Sequence, residues 1–224
     1  VIIHYNKSSV EAKKLCSEIN NKNVLAYAVK ADITNEYQIK KAFESGKKKF
    51  GYINCLINNA SIFEYDNLKS VTVRSWDKHL KANLTAPMIL SSLLYKSLPK
   101  NHKGEIINII DQRVLNLTPH FLSYTISKSA LWTLTRTLAL DLSPTIKVNA
   151  IGPGPVIKSK FQTQKEFNKQ CTNMPLKTGS SPKEIAETVC YILSVKSMTG
   201  QIITLDGGQH LGWGQVNNKK KLKD

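Results

Sequence analysis

A tyrosine and a lysine four residues apart are the residues of this sequence best suited to chemistry. Tyr124 and Lys128 stand near the start of a long apolar-periodic run, and Asp111 lies upstream at the end of a hydrophobic stretch. On a helix, Lys128 falls one turn beyond Tyr124 on the same face, so the hydroxyl and the ammonium group can meet at one site. A nearby ammonium group favours the phenolate and is expected to lower the tyrosine pKa from about 10, which makes Tyr124 a candidate proton donor. The same spacing also occurs by chance on solvated helix faces.

The surrounding sequence predicts strands that alternate with helices. Apolar and β-branched runs predict strands at residues 1–5, 24–33, 53–57, 104–110, 146–151 and 201–205. The run at 53–57 is fully apolar, which is typical of a buried parallel strand. Helices are predicted at residues 35–49, 73–98, 121–142, 161–171 and 182–195, and another begins at Ser8, which has Glu11 at capping-box spacing. This order indicates an α/β fold, a doubly wound parallel sheet of the Rossmann type.

Composition limits the classes of protein that fit. With 224 residues and 41% hydrophobic content, the chain is long enough for one domain, expected at residues 1–216 and followed by a basic tail at 217–224. The net charge of +16 comes mostly from scattered lysines with only three arginines, which does not favour nucleic-acid binding. Four widely spaced cysteines argue against a disulfide framework or a metal site. Because no long apolar run is present, a cytoplasmic enzyme without a membrane partner is expected.

Five short motifs give the sequence a family resemblance. They are Asn58-Asn59-Ala60-Ser61, Asn83, Tyr124-x-x-x-Lys128, Pro153-Gly154 and Asp206-Gly207-Gly208, which in this order and spacing resemble the short-chain dehydrogenase/reductase family over nearly the whole chain. Most of that family carries a serine where Asp111 stands, whereas the pteridine reductases carry an aspartate. The chain therefore looks most like the pteridine reductase and dihydromonapterin (dihydrofolate) reductase branch. The stretches His4-Tyr5-Asn6-Lys7-Ser8 and Asn59-Ala60-Ser61-Ile62-Phe63 agree with that branch.

The resemblance implies an NADPH-dependent reductase of reduced pterins of the dihydromonapterin, dihydrobiopterin or dihydrofolate type, in which hydride is transferred to a C=N bond. Tyr124 would donate the proton, Lys128 would hold the nicotinamide ribose and lower the tyrosine pKa, and Asn83 would act in a proton relay. Asp111 could hydrogen-bond the amino-pyrimidine edge of a pterin, and Phe63 could stack on the flat ring. The implied catalytic residues are Asp111, Tyr124, Lys128 and Asn83, and the implied substrate contacts are Phe63, Asp111, Tyr124 and Pro155.

The end of the first strand in the sequence indicates the cofactor. A carboxylate at this point would bind the ribose 2′-hydroxyl of NAD, whereas a basic residue would accept the 2′-phosphate of NADP. Lys7 supplies charge there and no acidic residue is present, so NADPH is expected over NADH. Asp32 either bonds the adenine amino group or is an ordinary carboxylate of a strand-end turn. The full expected cofactor-binding set is Tyr5, Asn6, Lys7, Ser8, Asp32, Ile33, Asn59, Ala60, Ser61, Tyr124, Lys128, Pro153 and Gly154.

The glycine-rich turn that opens a dinucleotide-binding fold has no match in the sequence. In that fold the turn follows the first strand and holds the pyrophosphate. The first strand present is the one expected second, and the missing strand would lie at the centre of the sheet. We therefore expect the natural chain to carry one more βα unit, about thirty residues, before Val1.

Other functions fit the same residues. The chain could be a general NADPH-dependent carbonyl reductase in which Asp111 only tunes the tyrosine. It could also be a catalytically silent binding subunit, or a basic protein associated with nucleic acid that kept the scaffold. The segment Pro155 to Cys171 is a candidate lid over the substrate. The segment that begins at Asp206 resembles the one with which family members approach a neighbouring subunit, so a homotetramer is expected by analogy.

Overall fold

The computed structural model describes residues 1–159 and 162–212, in which strands and helices alternate. The strands are β1 (Ile2–Tyr5), β2 (Tyr27–Lys30), β3 (Cys55–Asn58), β4 (Gly104–Ile109), β5 (Ile146–Pro153) and β6 (Ile202–Leu205). The helices are α1 (Ser9–Asn20), α2 (Glu36–Phe50), α3 (Val73–Leu80), α4 (Ala86–Ser97), α5 (Leu122–Asp141), α6 (Gln164–Thr172) and α7 (Pro182–Ser194).

Every strand pairs in parallel, as expected for a sheet whose connections are helical crossovers. Strands β1 and β2 form one pair, and the other four form a sheet in the order β3-β4-β5-β6. The helix pair α2 and α4 packs together, with Ile39 of α2 against Ala86 and Ile89 of α4. The predicted α/β class, a parallel Rossmann-type sheet with flanking helices in a single domain, is confirmed.

The core lies on both faces of β4 and β5, the central strands of the larger sheet. On one face, Ile106 and Val148 pack with Leu94 of α4, and all three are fully buried. On the other face, Ile107 and Ile151 pack against Ile192 of α7. Neighbouring residues of a strand point to opposite faces, so helices on both sides bury the whole strand. These two rigid strands fix the loops at their carboxyl ends.

The predicted helix at 73–98 is interrupted. Between α3 and α4, residues Lys81–Thr85 form a π-helical segment with Asn83 at its centre. The Asn83 side chain is bonded to a neighbouring loop, which favours a widened turn at this point. Sequence periodicity does not register a single wide turn, because the apolar pattern continues on both sides of it.

Several strand and cap predictions also need correction. The strand predicted at 24–33 is only Tyr27–Lys30, because Val24 and Leu25 are exposed. The strand predicted at 53–57 begins at Cys55, and Ile57 is exposed rather than buried because β3 is the edge strand of its sheet. Ser8 precedes α1 but makes no side-chain capping bond, so the predicted capping box with Glu11 does not form.

The predicted helix at 161–171 corresponds to α6, Gln164–Thr172, which begins three residues later because Thr163 and Glu166 form a capping box. Phe161 and the basic tail at 217–224 lie outside the described residues. All four cysteines are free. Along residues 1–159 and 162–212, no helix has the length and apolar character that crossing a membrane requires. In the same ranges, no group of three or more His, Cys, Asp or Glu residues could hold a metal ion.

Candidate active site

A tyrosine hydroxyl and a carboxylate meet where β4 and α5 come together. Asp111 follows β4 and caps a short 3-10 turn, Gln112–Val114, while Tyr124 lies in the first turn of α5. The Tyr124 hydroxyl donates to Asp111 Oδ2 at 2.9 Å, and its side chain is buried, with only 6% of the residue exposed. The structure therefore brings together the two residues that the sequence separates by a whole loop.

Burial raises the pKa of the Tyr124 hydroxyl well above its ordinary value. The negative charge of Asp111 and the hydrogen bond to it raise that pKa further, whereas the Arg113 guanidinium acts in the opposite direction. A phenolate here would lose its hydration and lie beside a carboxylate, which explains why the pKa of Tyr124 rises. The expectation of an acidified tyrosine was therefore wrong. Tyr124 keeps its proton at neutral pH, which is the form that can donate it.

Lys128 lies on the same face of α5, one turn beyond Tyr124. Its ammonium Nζ is 5.8 Å from the centre of the Tyr124 ring and donates to the Ile109 carbonyl at 2.8 Å. Burial lowers the pKa of Lys128 from 10.5 to about 8, although the Asp111 carboxylate raises it in part. Burial and the Asp111 charge outweigh any lowering of the tyrosine pKa by Lys128, whose ammonium donates to a backbone carbonyl and not to the phenol. Its own charge is instead sensitive to mildly alkaline pH.

Arg113 faces the site rather than solvent. Its Nη1 lies 3.1 Å from Asp111 Oδ2, and its backbone N–H donates to Asp111 Oδ1 at 2.8 Å. The guanidinium also lies over the rings of Phe63 and Phe121, 5.4 Å and 5.0 Å from their centres. Cation–π contacts of this kind are worth about 0.5–1 kcal/mol or more. Arg113 therefore links the Asp111 carboxylate to an aromatic wall, which the rings of Phe63 and Phe121 form.

The aromatic wall lies directly beside the tyrosine. Phe63 stands on the loop after β3 and stacks on Phe121 with ring centres 4.4 Å apart and planes inclined by 11°. Its ring meets Tyr124 edge to face at 4.7 Å. Phe63 remains 43% exposed, so part of its surface is open to a ligand. The placement agrees with an aromatic residue that can receive a flat ring, and it does not agree with a residue of the buried core.

Asn83 anchors the loop that carries Phe63. Its Oδ1 accepts from the Ile62 backbone N–H at 2.8 Å and from the Ser61 hydroxyl at 3.1 Å. Its Nδ2 donates to the Ile62 carbonyl at 3.0 Å and to the Ser127 hydroxyl at 3.0 Å. These bonds use the hydrogen-bonding capacity of the amide almost fully. This geometry gives Asn83 a structural duty, and its part in a proton relay remains a prediction.

The other predicted cofactor residues lie at the carboxyl ends of the strands, where open α/β sheets bind ligands. Asn59 and Ala60 follow β3 and are exposed, and Ser61 follows them. Tyr5 ends β1, and Asn6, Lys7 and Ser8 continue from it as an exposed turn. Their contact with a dinucleotide remains a prediction.

Asp32 follows β2 and closes a local turn. Its Oδ1 accepts from both the backbone N–H and the hydroxyl of Thr34, each at 2.8 Å. These bonds lower the pKa of Asp32, and the Lys7 charge contributes to the same shift. The turn interpretation therefore holds, and an additional bond to adenine remains a prediction. Ile33 packs instead against the contact of α2 with α4.

Pro153 ends β5, and the chain that follows is tightly held. The Gly154 N–H donates to the Leu205 carbonyl at 2.9 Å, and a Cβ at Gly154 would come within 2.8 Å of the Asp206 Cα. Only glycine fits this close approach. The Pro155 carbonyl accepts from the Ser180 N–H at 3.1 Å, so the start of the candidate lid is anchored. Closure by the residues beyond it remains a prediction.

Sequence reasoning missed several residues of this site. Phe121 was not identified, and neither was a buried set formed by Asp66, His79 and Ser123. Asp66 bonds Ser123 across 57 positions of sequence, so no spacing rule relates the two residues. The signal that was available is compositional, because Asp66 and His79 are polar residues in segments that pack beside the predicted catalytic helix.

Comparison with known proteins identifies the family. A family model described as enoyl-(acyl carrier protein) reductase matches residues 1–210. A short-chain type dehydrogenase/reductase of Picea abies is 28% identical over 93% of this chain and 82% of its own. The chain belongs to the short-chain dehydrogenase/reductase family. It is therefore an oxidoreductase of that family, in agreement with the position of Tyr124 and Lys128 on one helix.

Two further relatives of this short-chain dehydrogenase/reductase differ in their reported activities. The crystal structure of FolM alternative dihydrofolate reductase 1 from Brucella canis, complexed with NADP, is 41% identical with a TM-score of 0.92. That match covers 95% of this chain and 84% of the Brucella chain. A 3-oxoacyl-[acyl-carrier-protein] reductase of Buchnera aphidicola is 31% identical over 82% of this chain and 77% of its own.

Proposed function

We propose that this short-chain reductase uses NADPH to reduce a dihydropterin, with hydride transfer to a C=N bond and Tyr124 as proton donor. The observation that carries the proposal is the carboxylate of Asp111, which accepts from Tyr124 at 2.9 Å within a site walled by an aromatic ring. A carboxylate can bond the amino-pyrimidine edge of a pterin, and a flat ring can stack on Phe63. The likeness to the NADP-bound FolM structure supports both the cofactor and the substrate class.

The residues at the end of β1 fit NADPH. Lys7 and Ser8 are exposed there, and the Ser8 hydroxyl makes no capping bond to α1. A cation and a hydroxyl at a helix N-terminus are suited to a phosphate group, whereas a carboxylate would repel it. When bound, NADPH supplies the hydride. Lys128 would hold the nicotinamide ribose, and Tyr124 and Asp111 would supply the acid–base groups.

The observed contacts of Tyr124 support a proton path. Tyr124 holds its proton because its pKa is raised, and the same shift makes it a weaker acid than a free phenol, so donation depends on the negative charge that hydride transfer would place on the ring nitrogen. The phenolate that forms would stand beside the Asp111 carboxylate, which is unfavourable. Arg113 offsets part of that negative charge, since its Nη1 lies 3.1 Å from Asp111 Oδ2. Tyr124 then takes up a proton from solvent, which balances the one that it gave to the ring nitrogen.

The test is a substrate panel with the purified protein. NADPH consumption is followed with dihydrobiopterin, dihydromonapterin, dihydrofolate and a simple ketone in parallel. The proposal expects turnover with at least one of the three dihydropterin compounds and a clearly lower kcat/KM with the ketone. Turnover of the ketone alone would instead support a general carbonyl reductase. That second candidate is favoured by the likeness to the Buchnera 3-oxoacyl reductase, whose substrate is a ketone.

Replacing Lys7 by aspartate is expected to reverse the cofactor preference. The new carboxylate would repel a 2′-phosphate and accept a ribose hydroxyl. Hydrogen bonds to charged groups contribute about 1.5–3 kcal/mol, so the ratio of kcat/KM for NADPH to that for NADH should fall roughly tenfold or more. Lys22→Asp, which makes the same charge change at an exposed position, should leave the ratio as it was. An unchanged ratio in Lys7→Asp would contradict the assignment of Lys7.

Activity is expected to fall as the pH rises through about 8. Lys128 is charged below that pH and neutral above it, because burial lowers its pKa to about 8. Loss of the charge weakens the hold on the nicotinamide ribose and removes a cation from the site, so kcat/KM for NADPH should decline. This parameter reports the pKa of groups in the free enzyme. Lys128→Arg, which stays charged, should lack the alkaline decline even if its rate is lower. A decline that persists in Lys128→Arg would assign the titration to another group.

A further inference from the structure

Three buried polar side chains connect the start of α5 with the loop that carries Phe63. Asp66 belongs to that loop, His79 to α3 and Ser123 to α5, and their exposures are 2%, 0% and 0%. Such complete burial of polar groups is costly unless each of them is hydrogen-bonded. None of the three touches the Asp111 carboxylate in the described hydrogen bonds, so the mechanism given above does not use them.

The hydrogen bonds of this set run in one direction. His79 Nε2 accepts from the Glu64 backbone N–H at 3.2 Å, which puts the proton of the neutral ring on Nδ1. From Nδ1, which also lies 3.0 Å from the Ser75 carbonyl, His79 can donate to the Ser123 hydroxyl at 2.7 Å. Ser123 in turn donates to Asp66 Oδ2. Each of the three polar groups therefore has a hydrogen-bond partner within the set.

Asp66 also supplies the cap that α5 lacks. The residue before α5, Phe121, has a left-handed φ of 59° and makes no side-chain capping bond. Asp66 replaces that cap from a distant loop, because its carbonyl accepts from the Leu122 N–H at 3.2 Å and its Oδ1 from the Ser123 N–H at 3.0 Å. A carboxylate at a helix N-terminus is favoured by both hydrogen bonding and the helix dipole.

A Ser, a His and an Asp in contact suggest a nucleophilic triad, but the bonding excludes one. In a triad the serine hydroxyl donates to the histidine, and the aspartate orients that histidine. Here the Ser123 hydroxyl donates to Asp66 and accepts from His79. Ser123 is also fully buried, so no substrate can reach it. The three residues therefore support the site structurally and do not form a hydrolytic triad.

The loop segment 62–66 is held at three points around Phe63. Asn83 binds Ile62 through both its N–H and its carbonyl, His79 binds the Glu64 N–H, and Asp66 binds the first turn of α5. Phe63 stands between the first two of these attachments, and Tyr124 is the residue after Ser123. Phe63 and the proton donor Tyr124 are thus fixed relative to each other, and not only relative to the sheet.

We propose that Asp66, Ser123 and His79 are positioning residues that set the Tyr124 hydroxyl relative to a substrate stacked on Phe63. The inference rests on the proposed reductase function and adds residues that determine its rate. Proton donation needs the donor and the acceptor within hydrogen-bond distance of each other. A displacement of about 1 Å at a reacting group can cost roughly a hundredfold in rate. The three residues act through Tyr124 and do not contact the reacting atoms.

Asp66→Asn is the first test, because it keeps the shape and changes only the acceptor. Asp66 accepts from both the N–H and the hydroxyl of Ser123, and in either orientation the Asn amide nitrogen faces one of these two donors and cannot accept from it. We expect kcat for reduction of the substrate to fall roughly ten- to a hundredfold. The dissociation constant of NADPH should stay within about twofold, because the set lies on the substrate side of Tyr124. Ser123→Ala removes the same link from the other partner and should show the same split, which covers a failure of Asp66→Asn to fold.

The two variants should not be additive. Asp66→Asn combined with Ser123→Ala is expected to lower kcat no more than the worse single variant, since both break one connected unit. Asp77→Asn, an exposed change on α3, serves as the matched control and should leave kcat unchanged. A full kcat in Asp66→Asn and in Ser123→Ala would overturn the inference. So would a loss of NADPH affinity in proportion to kcat, which indicates general damage.

Hydrogen exchange separates this inference from the proposed function. In Asp66→Asn, backbone exchange should accelerate in both residues 62–66 and residues 121–125, because each segment loses its partner in the other. Faster exchange in only one of the two segments would overturn the coupling. If the unchanged protein reduces the ketone and no dihydropterin, the pterin proposal fails. The kcat comparison is then made with the ketone, and its result tests the positioning inference.

Discussion

Replacing Tyr124 by phenylalanine is expected to lower kcat by roughly 10²–10⁴-fold, the range that a positioned general acid contributes. The ring remains in place against Phe63, whereas the proton donor is lost. The variant should fold, because the Asp111 carboxylate keeps its contacts with Arg113, at 2.8 Å and 3.1 Å. Loss of one hydrogen bond costs about 1 kcal/mol of stability.

Two measurements accompany this variant. NADPH binding by fluorescence titration should be nearly unchanged, because the hydroxyl bonds to Asp111. Tyr95→Phe, which removes a hydroxyl from an exposed tyrosine of α4, should leave kcat as it was. A Tyr124→Phe enzyme that retains more than a tenth of the original kcat would show that the proton comes from another source, such as Asp111 or water.

Replacing Asp111 by serine is expected to change the substrate preference. A carboxylate has about four lone-pair positions, and the bonds from Tyr124 and Arg113 fill three of them. One position remains for a donor of the amino-pyrimidine edge. Hydrogen bonds to a charged acceptor contribute about 1.5–3 kcal/mol, so kcat/KM for a dihydropterin should fall roughly ten- to a hundredfold. For a ketone, kcat/KM should stay the same or rise, since a serine hydroxyl can polarise a carbonyl.

The charge and the shape of Asp111 can be tested separately. Asp111→Asn keeps the shape and removes the charge, so the pKa of Tyr124 should fall because the Asp111 charge raises it. Titration of the Tyr124 phenol by ultraviolet absorbance checks this direction, and Asp77→Ser, at an exposed position of α3, provides a control. Equal losses for dihydropterin and ketone in Asp111→Ser would argue that the carboxylate only supports the tyrosine. That result would favour the general carbonyl reductase.

Features that repeat along the chain could be predicted from the sequence. The apolar periodicity placed α5 within a residue at each end, and with it the four-residue spacing that puts Tyr124 and Lys128 on one face. The strand before Asp111 was placed to within one residue for the same reason. Parallel pairing followed from the alternation of elements. Each of these is a consequence of local spacing, which the sequence contains directly.

Features that depend on three-dimensional contact could not be predicted. The direction of the Tyr124 pKa shift depends on burial and on the distance to Asp111, neither of which is a property of the Tyr-Lys pair. Arg113 could have pointed to solvent. Its packing on Phe63 and Phe121, together with its ion pair with Asp111, decides its direction. The bond from Ser123 to Asp66 joins segments whose approach is set by the whole fold.

The π-helical segment at Lys81–Thr85 limits how the length of this chain can change. A π turn holds one residue more than an α turn, so a natural deletion of a single codon there would restore regular winding. The faces of α3 and α4 would keep their orientation, because the π turn only takes up the extra residue, and the loss would fall on the widened turn that carries Asn83. Asn83 could no longer reach Ile62 while α4 kept its contact with α2. Natural variants of this protein should therefore tolerate substitutions near this segment far better than insertions or deletions.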